Sequence, residues 1–293
     1  MIIVKLYGGI GNQMFQYATA KSLAIRNNSE LKLDLTHYQI KVLPHGLPYR
    51  TYDLEILNIT SNIASAEEMS LFKVINPNIV TKTINKIKNI IKPVYVIHEP
   101  YFHFYPKLLN LKGNIYLDGY WQTEKYFSEI KTVIKNEFQI KHTLNAGGFE
   151  MLDKIHNSES VCLNIRRKEF ATNPHLNLFT GIEYILKSIE YMNNKLNNPH
   201  YFIFSDELDW VKANLPVNSN FTFVGNHLYG EKFKDCLYLM TNCKHFIIPN
   251  SSFGWWAAWL ANNNNKIVVA PKKWFNDKSI NTNDILPDNW IKI

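Results

Sequence analysis

Short apolar runs rich in β-branched residues alternate along the chain with segments in which apolar residues recur at helical spacing. The runs have the length of buried strands and stop at glycine, proline or polar residues. The predicted strands are Met1–Tyr7, Leu31–Leu35, Gly113–Tyr120, Val161–Ile165, Tyr201–Ser205, Phe221–Val224, His245–Ile248 and Lys266–Ala270. Strands that alternate with helices predict parallel sheets covered by helices on both faces.

Helices are indicated after the first strand, near Glu124–Phe138, and at Gly181–Leu196. The first of them follows Asn12, which has the chemistry of an N-cap, so the chain is predicted to open as strand, loop and helix. In the Gly181–Leu196 segment the large apolar side chains fall on a single face. They are Ile182, Ile185, Ile189, Met192 and Leu196.

The chain has 293 residues, about two domains of ordinary size. An Ala-Gly-Gly sequence interrupts the apolar pattern within Asn145–Asn157. We therefore expect an α/β fold with an N-terminal Rossmann-like domain at residues 1–150 and a C-terminal one at 151–293, their parallel sheets facing a cleft.

The net charge of +7 and the pI near 9.0 suit anionic ligands or an anionic membrane surface. The lysines are scattered rather than grouped with stacking aromatic residues, so nucleic acid is not an expected partner. No run of about 18 apolar residues occurs, and the apolar start is too short for a signal peptide.

The chain has three cysteines, an odd number, and they lack C-x-x-C spacing. They are Cys162, Cys236 and Cys243. This pattern predicts buried free thiols in a reducing cytoplasm.

A glycine-rich loop, Gly8–Gln13, lies between the first predicted strand and helix. Glycines there let a ligand approach backbone N–H groups, and a helix N-terminus favours negative charge. The loop lacks the third glycine of a dinucleotide fingerprint and the Gly-Lys-Ser/Thr ending of a Walker loop. It therefore indicates a ligand-facing loop, with an ordinary tight turn as the alternative. Its candidate ligand contacts are Gly9, Gly11, Asn12 and Gln13.

Arg166 and Arg167 end the strand Val161–Ile165, where an open parallel sheet usually holds its ligand. Arginine matches phosphate by paired hydrogen bonds, so at least one of the two is predicted to clamp a phosphate. Successive residues of a strand point to opposite faces, so they need not share a role. The alternative is an arginine that is solvated or paired with Glu169.

The segment after His245–Ile248 begins with Asn250, Ser251 and Ser252 and continues into a tryptophan-rich helix. Either serine can cap that helix, and a helix end with spare N–H groups is also a phosphate site. The tryptophans at i, i+1 and i+4 favour core packing over a sugar platform. They are Trp255, Trp256 and Trp259.

Two further segments have ordinary explanations. The acidic residues of Ser205–Asp209 are predicted to cap and begin a helix rather than to bind metal, and the histidines lack the spacing of metal ligands. Lys82–Lys92 predicts an amphipathic helix with a solvated basic side, for which docking on anionic lipid is the alternative.

Together these segments resemble the bacterial α-1,2-fucosyltransferases of glycosyltransferase family 11, and the resemblance covers nearly the whole chain. Its most specific motifs are Gly-Gly-x-Gly-Asn-Gln-Met-Phe-Gln-Tyr and Asn-Ser-Ser-Phe-x-Trp-Trp. The segments that carry it are Gly8–Ala24, Leu117–Phe127, Phe202–Trp210 and Cys243–Leu260.

The resemblance implies a fold of the GT-B type, a GDP-sugar donor, inversion at the sugar carbon and no metal or other cofactor. It also implies a role in surface polysaccharide such as O-antigen, the glycan part of lipopolysaccharide. The donor would be bound by the C-terminal domain and the acceptor by the N-terminal one. Donor contacts carried over or inferred are Gly9, Gly11, Asn12, Gln13, Asn164, Arg166, Arg167, Asp206, Asn250, Ser251 and Ser252.

One motif departs from the family pattern. The family usually has His-x-Arg-Arg-Gly-Asp followed by Tyr or Phe, and the segment Asn164–Phe170 keeps both arginines but has Asn164, Lys168 and Glu169 in place of His, Gly and Asp. The family also usually has Asp where this chain has Cys236, with Asp235 one step earlier. These differences leave the donor sugar and the acceptor open.

The predicted reaction is inverting transfer of L-fucose from GDP-β-L-fucose to the 2-hydroxyl of a β-galactoside. Arg166 would stabilise the departing GDP, and Glu169 is the candidate base. The acceptor would be a galactose-terminated oligosaccharide or lipid-linked glycan, with the enzyme in the cytoplasm or peripheral at the inner face of the inner membrane. The alternatives are another GDP-6-deoxyhexose, such as GDP-colitose, and a non-catalytic protein that binds sugar nucleotides or glycans.

Overall fold

A computed structural model describes residues 1–39, 50–73, 93–167, 181–216 and 218–293. Two compact units divide the chain. The first unit is Met1–Glu55, Ile59–Glu137 and Asn283–Ile285, and the second is Ile56–Asn58, Phe138–Thr282 and Leu286–Ile293. The predicted helix at Lys82–Lys92 and the residues Lys168, Glu169 and Phe170 lie outside the described part of the chain.

The first unit has a five-stranded sheet in the order β3-β2-β1-β5-β4, and the described strands pair in parallel. Its strands are β1 (Ile2–Lys5), β2 (Leu31–Asp34), β3 (Asn62–Ile63), β4 (Val94–His98) and β5 (Asn114–Asp118). Its α-helices among the described residues are α1 (Ile10–Arg26), α2 (Ala66–Lys73) and α3 (Lys131–Glu137).

The second unit has a six-stranded parallel sheet in the order β11-β10-β9-β6-β7-β8. Its strands are β6 (Glu159–Ile165), β7 (Pro199–Ser205), β8 (Phe221–Phe223), β9 (His245–Ile247), β10 (Val268–Ala270) and β11 (Ile291–Lys292). The helices described in this unit are α4 (Ala146–His156), α5 (Gly181–Lys195), α6 (Leu208–Asn214), α7 (Lys234–Thr241) and α8 (Ser252–Leu260).

Each sheet has a switch point, where the strand order reverses. In the first sheet β2 and β3 lie on one side of β1, and the later strands β5 and β4 lie on the other. In the second sheet β7 and β8 lie on one side of β6, and β9 and β10 lie on the other. Loops leave the carboxyl ends of neighbouring strands in opposite directions at such a point and open a crevice for a ligand.

The predicted strands and the parallel α/β class are confirmed by these two sheets. Burial explains the strand pattern, because the apolar side chains of β6 and β9 are buried in a sheet covered on both faces. The tryptophans of α8 pack in the core as predicted, with Trp255 and Trp256 fully buried. All three cysteines are free and buried, which confirms that prediction as well.

The units divide after Glu137, earlier than the boundary expected after residue 150. Asn145–Asn157 is not a break, because Asn145 caps α4 and accepts a hydrogen bond from Gly148 N–H at 2.9 Å. That cap stabilises the start of the helix even though two glycines lie in its first turn. The helix α4 buries Met151 and Ile155 and packs on β6 and α7, so it belongs to the second unit.

Other predictions needed local correction. The expected helix near Glu124–Phe138 is two 3-10 turns, Glu124–Tyr126 and Ser128–Ile130, followed by α3. Asn12 is not an N-cap, because α1 begins at Ile10 with Gly9 at the cap position. The strands β3, β4 and β11 were not predicted from the sequence. No described helix is long and apolar enough to cross a membrane.

Candidate functional site

A pocket of about 560 Å³ lies within the second unit at the carboxyl ends of β6 and β7. It is next to the switch point of that sheet, and its volume is in the range typical of small-molecule sites. Its lining includes Asn164, Arg166, Ser205, Asp206, Tyr229 and Ser251. The structure thus brings together four predicted donor contacts, Asn164, Arg166, Asp206 and Ser251.

The pairing of β6 with β7 sets the charged pair of this pocket. The register aligns Ile165 with Ser205, so the next residue of each chain segment, Arg166 and Asp206, emerges side by side. Arg166 Nε lies 3.4 Å from Asp206 Oδ2. Asp206 Oδ1 also accepts a hydrogen bond from Arg167 N–H at 3.0 Å. Asp206 therefore orients Arg166 and fixes the backbone that follows β6.

Arg167 has a different environment from its neighbour. Its Nη1 lies 2.5 Å from Glu207 Oε2, and its guanidinium carbon lies 5.1 Å from the ring centre of Trp210. Arg167 is not among the residues that line the pocket. The structure thus gives the two arginines separate surroundings, with Arg166 at the pocket and Arg167 packed against the start of α6.

The acidic segment after β7 does not cap α6 as predicted. Glu207 occupies the N-cap position without a side-chain cap, and the Ser205 hydroxyl accepts from Glu207 N–H at 3.0 Å. The carboxylates of Asp206 and Glu207 instead pair with the arginines that follow β6. Among the described residues no group of three or more His, Cys, Asp or Glu side chains could hold a metal ion.

The start of α8 forms another wall of the pocket through Ser251 and Phe253. Ser251 occupies the N-cap position, but its side chain makes no capping hydrogen bond. The first N–H groups of a helix lie beyond the reach of its own carbonyls, and the helix dipole adds positive potential there. This helix end therefore supplies the pocket with polarity suited to an anion.

A glycine allows α8 to approach β6 closely. A Cβ atom at Gly254 would lie 2.7 Å from Asn164 Oδ1, closer than real Cβ contacts come. Asn164 Nδ2 donates to the Phe204 carbonyl at 3.2 Å, which holds this side chain between β6 and β7. Asn164 thus braces the base of the pocket, at the position where the family usually has His.

Asn250 and Ser252 flank Ser251 but do not line the pocket. Asn250 is 7% exposed, and its Nδ2 donates to the Trp274 carbonyl at 2.8 Å. Its buried Oδ1 has no hydrogen-bond partner in the described structure. Asn250 therefore positions the turn before α8, and its role in donor binding stays a prediction, as does that of Ser252.

The segment Asn226–Phe233 also lines the pocket, through Asn226, Tyr229, Gly230 and Phe233, and was not predicted from the sequence. Ser205 N–H donates to the Tyr229 hydroxyl at 3.2 Å, and this hydroxyl donates to the Ser205 carbonyl at 3.1 Å. Gly230 has φ of +67°, and a Cβ there would lie 2.2 Å from Asp235 Oδ2. Gly230 in the sequence was the available signal, because glycine marks turns that need positive φ.

Cys236 lines the same pocket at the start of α7. Burial raises the pKa of its thiol well above the ordinary value, and the nearby Arg166 charge opposes this rise only in part. Cys236 is therefore a neutral thiol at neutral pH. In this chain the carboxylate beside Arg166 comes from Asp206 rather than from the α7 position where the family usually has Asp.

The glycine-rich loop lies at the switch point of the first sheet. Gln13 is fully buried, and its side-chain amide donates to the carbonyls of Gly8 and Thr51 and accepts from Asp53 N–H. Asn12 Oδ1 accepts from Gln122 Nε2 at 2.7 Å. Gln13 thus braces the loop from inside, and Gly11 is buried too, whereas Gly9 and Asn12 are partly exposed.

The candidate base Glu169 lies outside the described residues. The contact roles expected for Gly9, Gly11, Asn12 and Gln13 toward a donor stay predictions.

A parallel α/β unit whose switch-point pocket combines an arginine with a helix N-terminus is suited to the phosphates of a small ligand. The family profile "Glycosyl transferase family 11" matches residues 1–293. The chain therefore belongs to glycosyl transferase family 11, and its two Rossmann-like parallel sheets confirm the expected GT-B class.

Two bacterial relatives align over nearly the full length. An "Alpha-1,2-colitosyltransferase" of Escherichia coli is 33% identical over 301 residues, which cover 100% of this chain and 99% of the relative. The "O-antigen biosynthesis glycosyltransferase WbnK" of Escherichia coli is 29% identical over 310 residues, covering 98% and 99%.

A similar solved structure is that of "fucosyltransferase NodZ from Bradyrhizobium". It has 11% sequence identity and a TM-score of 0.47, and the match covers 87% of this chain and 92% of that one.

Proposed function

We propose that the chain transfers a 6-deoxyhexose from a GDP-linked donor to the 2-hydroxyl of a galactoside, with inversion, in the synthesis of O-antigen. The observation that carries the proposal is the pocket in the second unit, where Arg166 and the start of α8 line one space at the sheet's switch point. Family membership and the names of the two bacterial relatives support the reaction class and its role in O-antigen.

In this proposal the second unit binds the GDP part of the donor. The Arg166 guanidinium and the first N–H groups of α8 would hold the diphosphate by charge-assisted hydrogen bonds. The same groups would stabilise the negative charge that develops as the sugar leaves, so the residues need no metal for this task. Asp206 would keep Arg166 in place rather than contact the phosphates.

The transfer would be a direct displacement. The acceptor oxygen forms a bond to the anomeric carbon while the bond from that carbon to the phosphate oxygen breaks, and GDP leaves with the electron pair. The acceptor hydroxyl gives its proton to a base, which a positioned carboxylate or histidine can supply. The first unit is proposed to hold the acceptor.

L-fucose is the sugar that the sequence motifs imply, and colitose is the second candidate. Colitose is fucose without its 3-hydroxyl group, so both donors present the same GDP and the same anomeric centre. The 33% identity to a colitosyltransferase over the whole chain favours GDP-colitose. Mammalian galactoside α-(1,2)-fucosyltransferases also align, over about half of the chain for the pig protein at 24% identity, which favours GDP-fucose.

An assay of sugar transfer tests this function. The purified chain is incubated with GDP-fucose or GDP-colitose and a panel of β-galactosides, with UDP-galactose as the control donor, and the products are analysed by NMR. We expect a new α-1,2 linkage from at least one GDP-sugar and no product from UDP-galactose. Transfer to a hydroxyl other than the 2-hydroxyl, or binding of the glycans with neither GDP-sugar consumed, would contradict the proposal.

A further inference from the structure

The carboxyl edge of the first sheet carries an acidic residue that the sequence analysis did not single out, Glu99. The register of β4 with β5 aligns His98 with Asp118, so Glu99 emerges beside Gly119. A Cβ atom at Gly119 would lie 2.4 Å from the Cβ of Glu99, so the two segments touch because position 119 has no side chain.

The backbone after β5 wraps around this carboxylate. Glu99 Oε2 accepts from Tyr120 N–H at 2.7 Å, and Oε1 accepts from Trp121 N–H at 2.9 Å. Trp121 has φ of +56°, an unusual conformation for a large residue. The two hydrogen bonds fix both carboxylate oxygens, while each oxygen keeps a further lone pair with which it can accept a proton.

Two other carboxylates at this edge already have hydrogen-bonding or cationic partners. Asp34 is 2% exposed and accepts from Thr36 N–H at 2.8 Å and from the Tyr116 hydroxyl at 2.5 Å. Asp118 Oδ2 lies 3.1 Å from Lys5 Nζ and 3.5 Å from His98 Nδ1. Glu99 has no cationic partner among the described residues and is partly exposed.

The groups that face Glu99 are tyrosines rather than charges. Tyr7, Tyr120 and Tyr126 all interact with it electrostatically, and burial raises the pKa of each phenol above its ordinary value, so all three are neutral. The rings of Tyr7 and Tyr120 lie 4.8 Å apart, and Tyr120 is 38% exposed. Aromatic rings with polar tips next to a carboxylate suit a neutral polyhydroxylated ligand, in contrast to the arginine-lined pocket of the second unit.

Burial raises the pKa of Glu99 from its ordinary value of 4.5 to about 7, although the hydrogen bonds from Tyr120 and Trp121 act in the opposite direction. A base is most effective when its pKa lies near the working pH. A glutamate in this environment takes up a proton more readily than an ordinary one and still releases it near neutral pH.

We propose that Glu99 is the general base of the reaction, a role that rests on the proposed function. The acceptor hydroxyl transfers its proton to the Glu99 carboxylate while its oxygen bonds to the anomeric carbon of the donor sugar. The bond between that carbon and GDP breaks at the same time, and GDP takes the electron pair. Glu99 then loses the proton to solvent and is ready for the next acceptor.

Kinetics of Glu99→Gln and Glu99→Asp test this role, with His98→Gln as the matched control on the same edge. His98 precedes Glu99 in the chain and has a largely exposed side chain, and histidine is a common catalytic base, so its removal separates the two residues. Activity is followed as GDP release from the accepted GDP-sugar with a β-galactoside, between pH 5.5 and 8.5. Calorimetry with GDP and a thermal melt accompany each variant.

We expect wild type and His98→Gln to gain kcat/KM with rising pH through an apparent pKa near 7, since the base must be ionised. Glu99→Gln should lose at least about 100-fold in kcat and lose this pH dependence, with GDP affinity unchanged. Glu99→Asp retains a carboxylate but moves it by one methylene. It should therefore have a reduced kcat, and its kcat/KM should still rise with pH.

Several results would overturn the role of Glu99. One is a folded Glu99→Gln enzyme with kcat within about threefold of wild type. Another is a His98→Gln enzyme whose kcat/KM no longer rises with pH. A third is unfolding of both Glu99 variants, which would give Glu99 a purely structural role. Abolished transfer in Glu169→Gln with Glu99→Gln active would assign the base to Glu169. If wild type binds no GDP, the proposed function itself fails and the role of Glu99 fails with it.

Discussion

At the residue scale, Arg166 and Arg167 show how neighbouring identical side chains take different tasks. The sequence indicated a phosphate clamp at the end of a strand, and strand geometry indicated that the two side chains diverge. Which arginine faces the pocket depends on partners distant in sequence. Arg166 pairs with Asp206, and Arg167 contacts Glu207 and Trp210. That choice could not be predicted without the register of β6 against β7.

Alanine substitutions separate the two roles. Because a hydrogen bond to a charged group contributes roughly 1.5 to 3 kcal/mol, Arg166→Ala should weaken GDP binding by about ten- to a hundredfold. Arg167→Ala is the matched control and should change GDP affinity by less than about threefold while lowering the melting temperature. Calorimetry and thermal melts measure both. Equal weakening of GDP binding in the two variants would show that the pocket assignment is wrong.

At the element scale, the apolar pattern located the main strands because they are buried on both faces and carry a strong signal. It missed β4, whose side chains are half-buried or exposed, and with it Glu99, the residue that follows this strand. It also mistook the Ala-Gly-Gly of α4 for a boundary, because the cap by Asn145 and the packing of the helix outweigh weak glycine propensity. The pocket wall at Asn226–Phe233 has no regular spacing of apolar residues in the sequence. Its shape depends on the turn at Gly230.

Substitution of Gly230 tests that turn, with Gly181 as the matched glycine. Both have positive φ, +67° and +73°, but only at Gly230 would a Cβ meet a neighbour, at 2.2 Å from Asp235. Gly181→Ala should cost about 1 to 2 kcal/mol from backbone strain alone. Gly230→Ala should cost more in urea unfolding and should also reduce GDP affinity. Equal stability losses with unchanged GDP binding would contradict a role for this turn in shaping the pocket.

At the scale of the whole molecule, the two units differ in the chemistry of their sheet edges. The described edge of the second sheet has Arg166 and a helix N-terminus, which suit phosphates, whereas that of the first has carboxylates and tyrosines, which suit a neutral glycan. The family motifs in the sequence predicted the fold class and the anion site. The environment of Glu99 could not be predicted from the sequence, because Glu99 follows β4, Tyr120 follows β5, and the two meet only through the register of these strands.

The partly buried Glu99 should also make stability depend on pH. Its pKa is raised on folding, so between pH 4.5 and about 7 the folded chain holds a proton that the unfolded chain has released. Stability contributed by this residue is therefore full below pH 4.5 and falls as the pH rises to about 7, by roughly 3 kcal/mol in all. Denaturation from pH 4.5 to 8 should show this fall in wild type and not in Glu99→Gln. Parallel pH profiles of the two proteins would contradict it.

In the proposed function the second unit binds the guanine nucleotide of a sugar donor. Calorimetric titration of the wild-type chain with GDP, GDP-fucose, GDP-colitose and UDP-glucose, in excess EDTA, tests it most directly. We expect binding of GDP and of at least one GDP-sugar without metal, and no binding of UDP-glucose. Absence of binding by every guanine ligand, or equal binding of UDP-glucose, would contradict it.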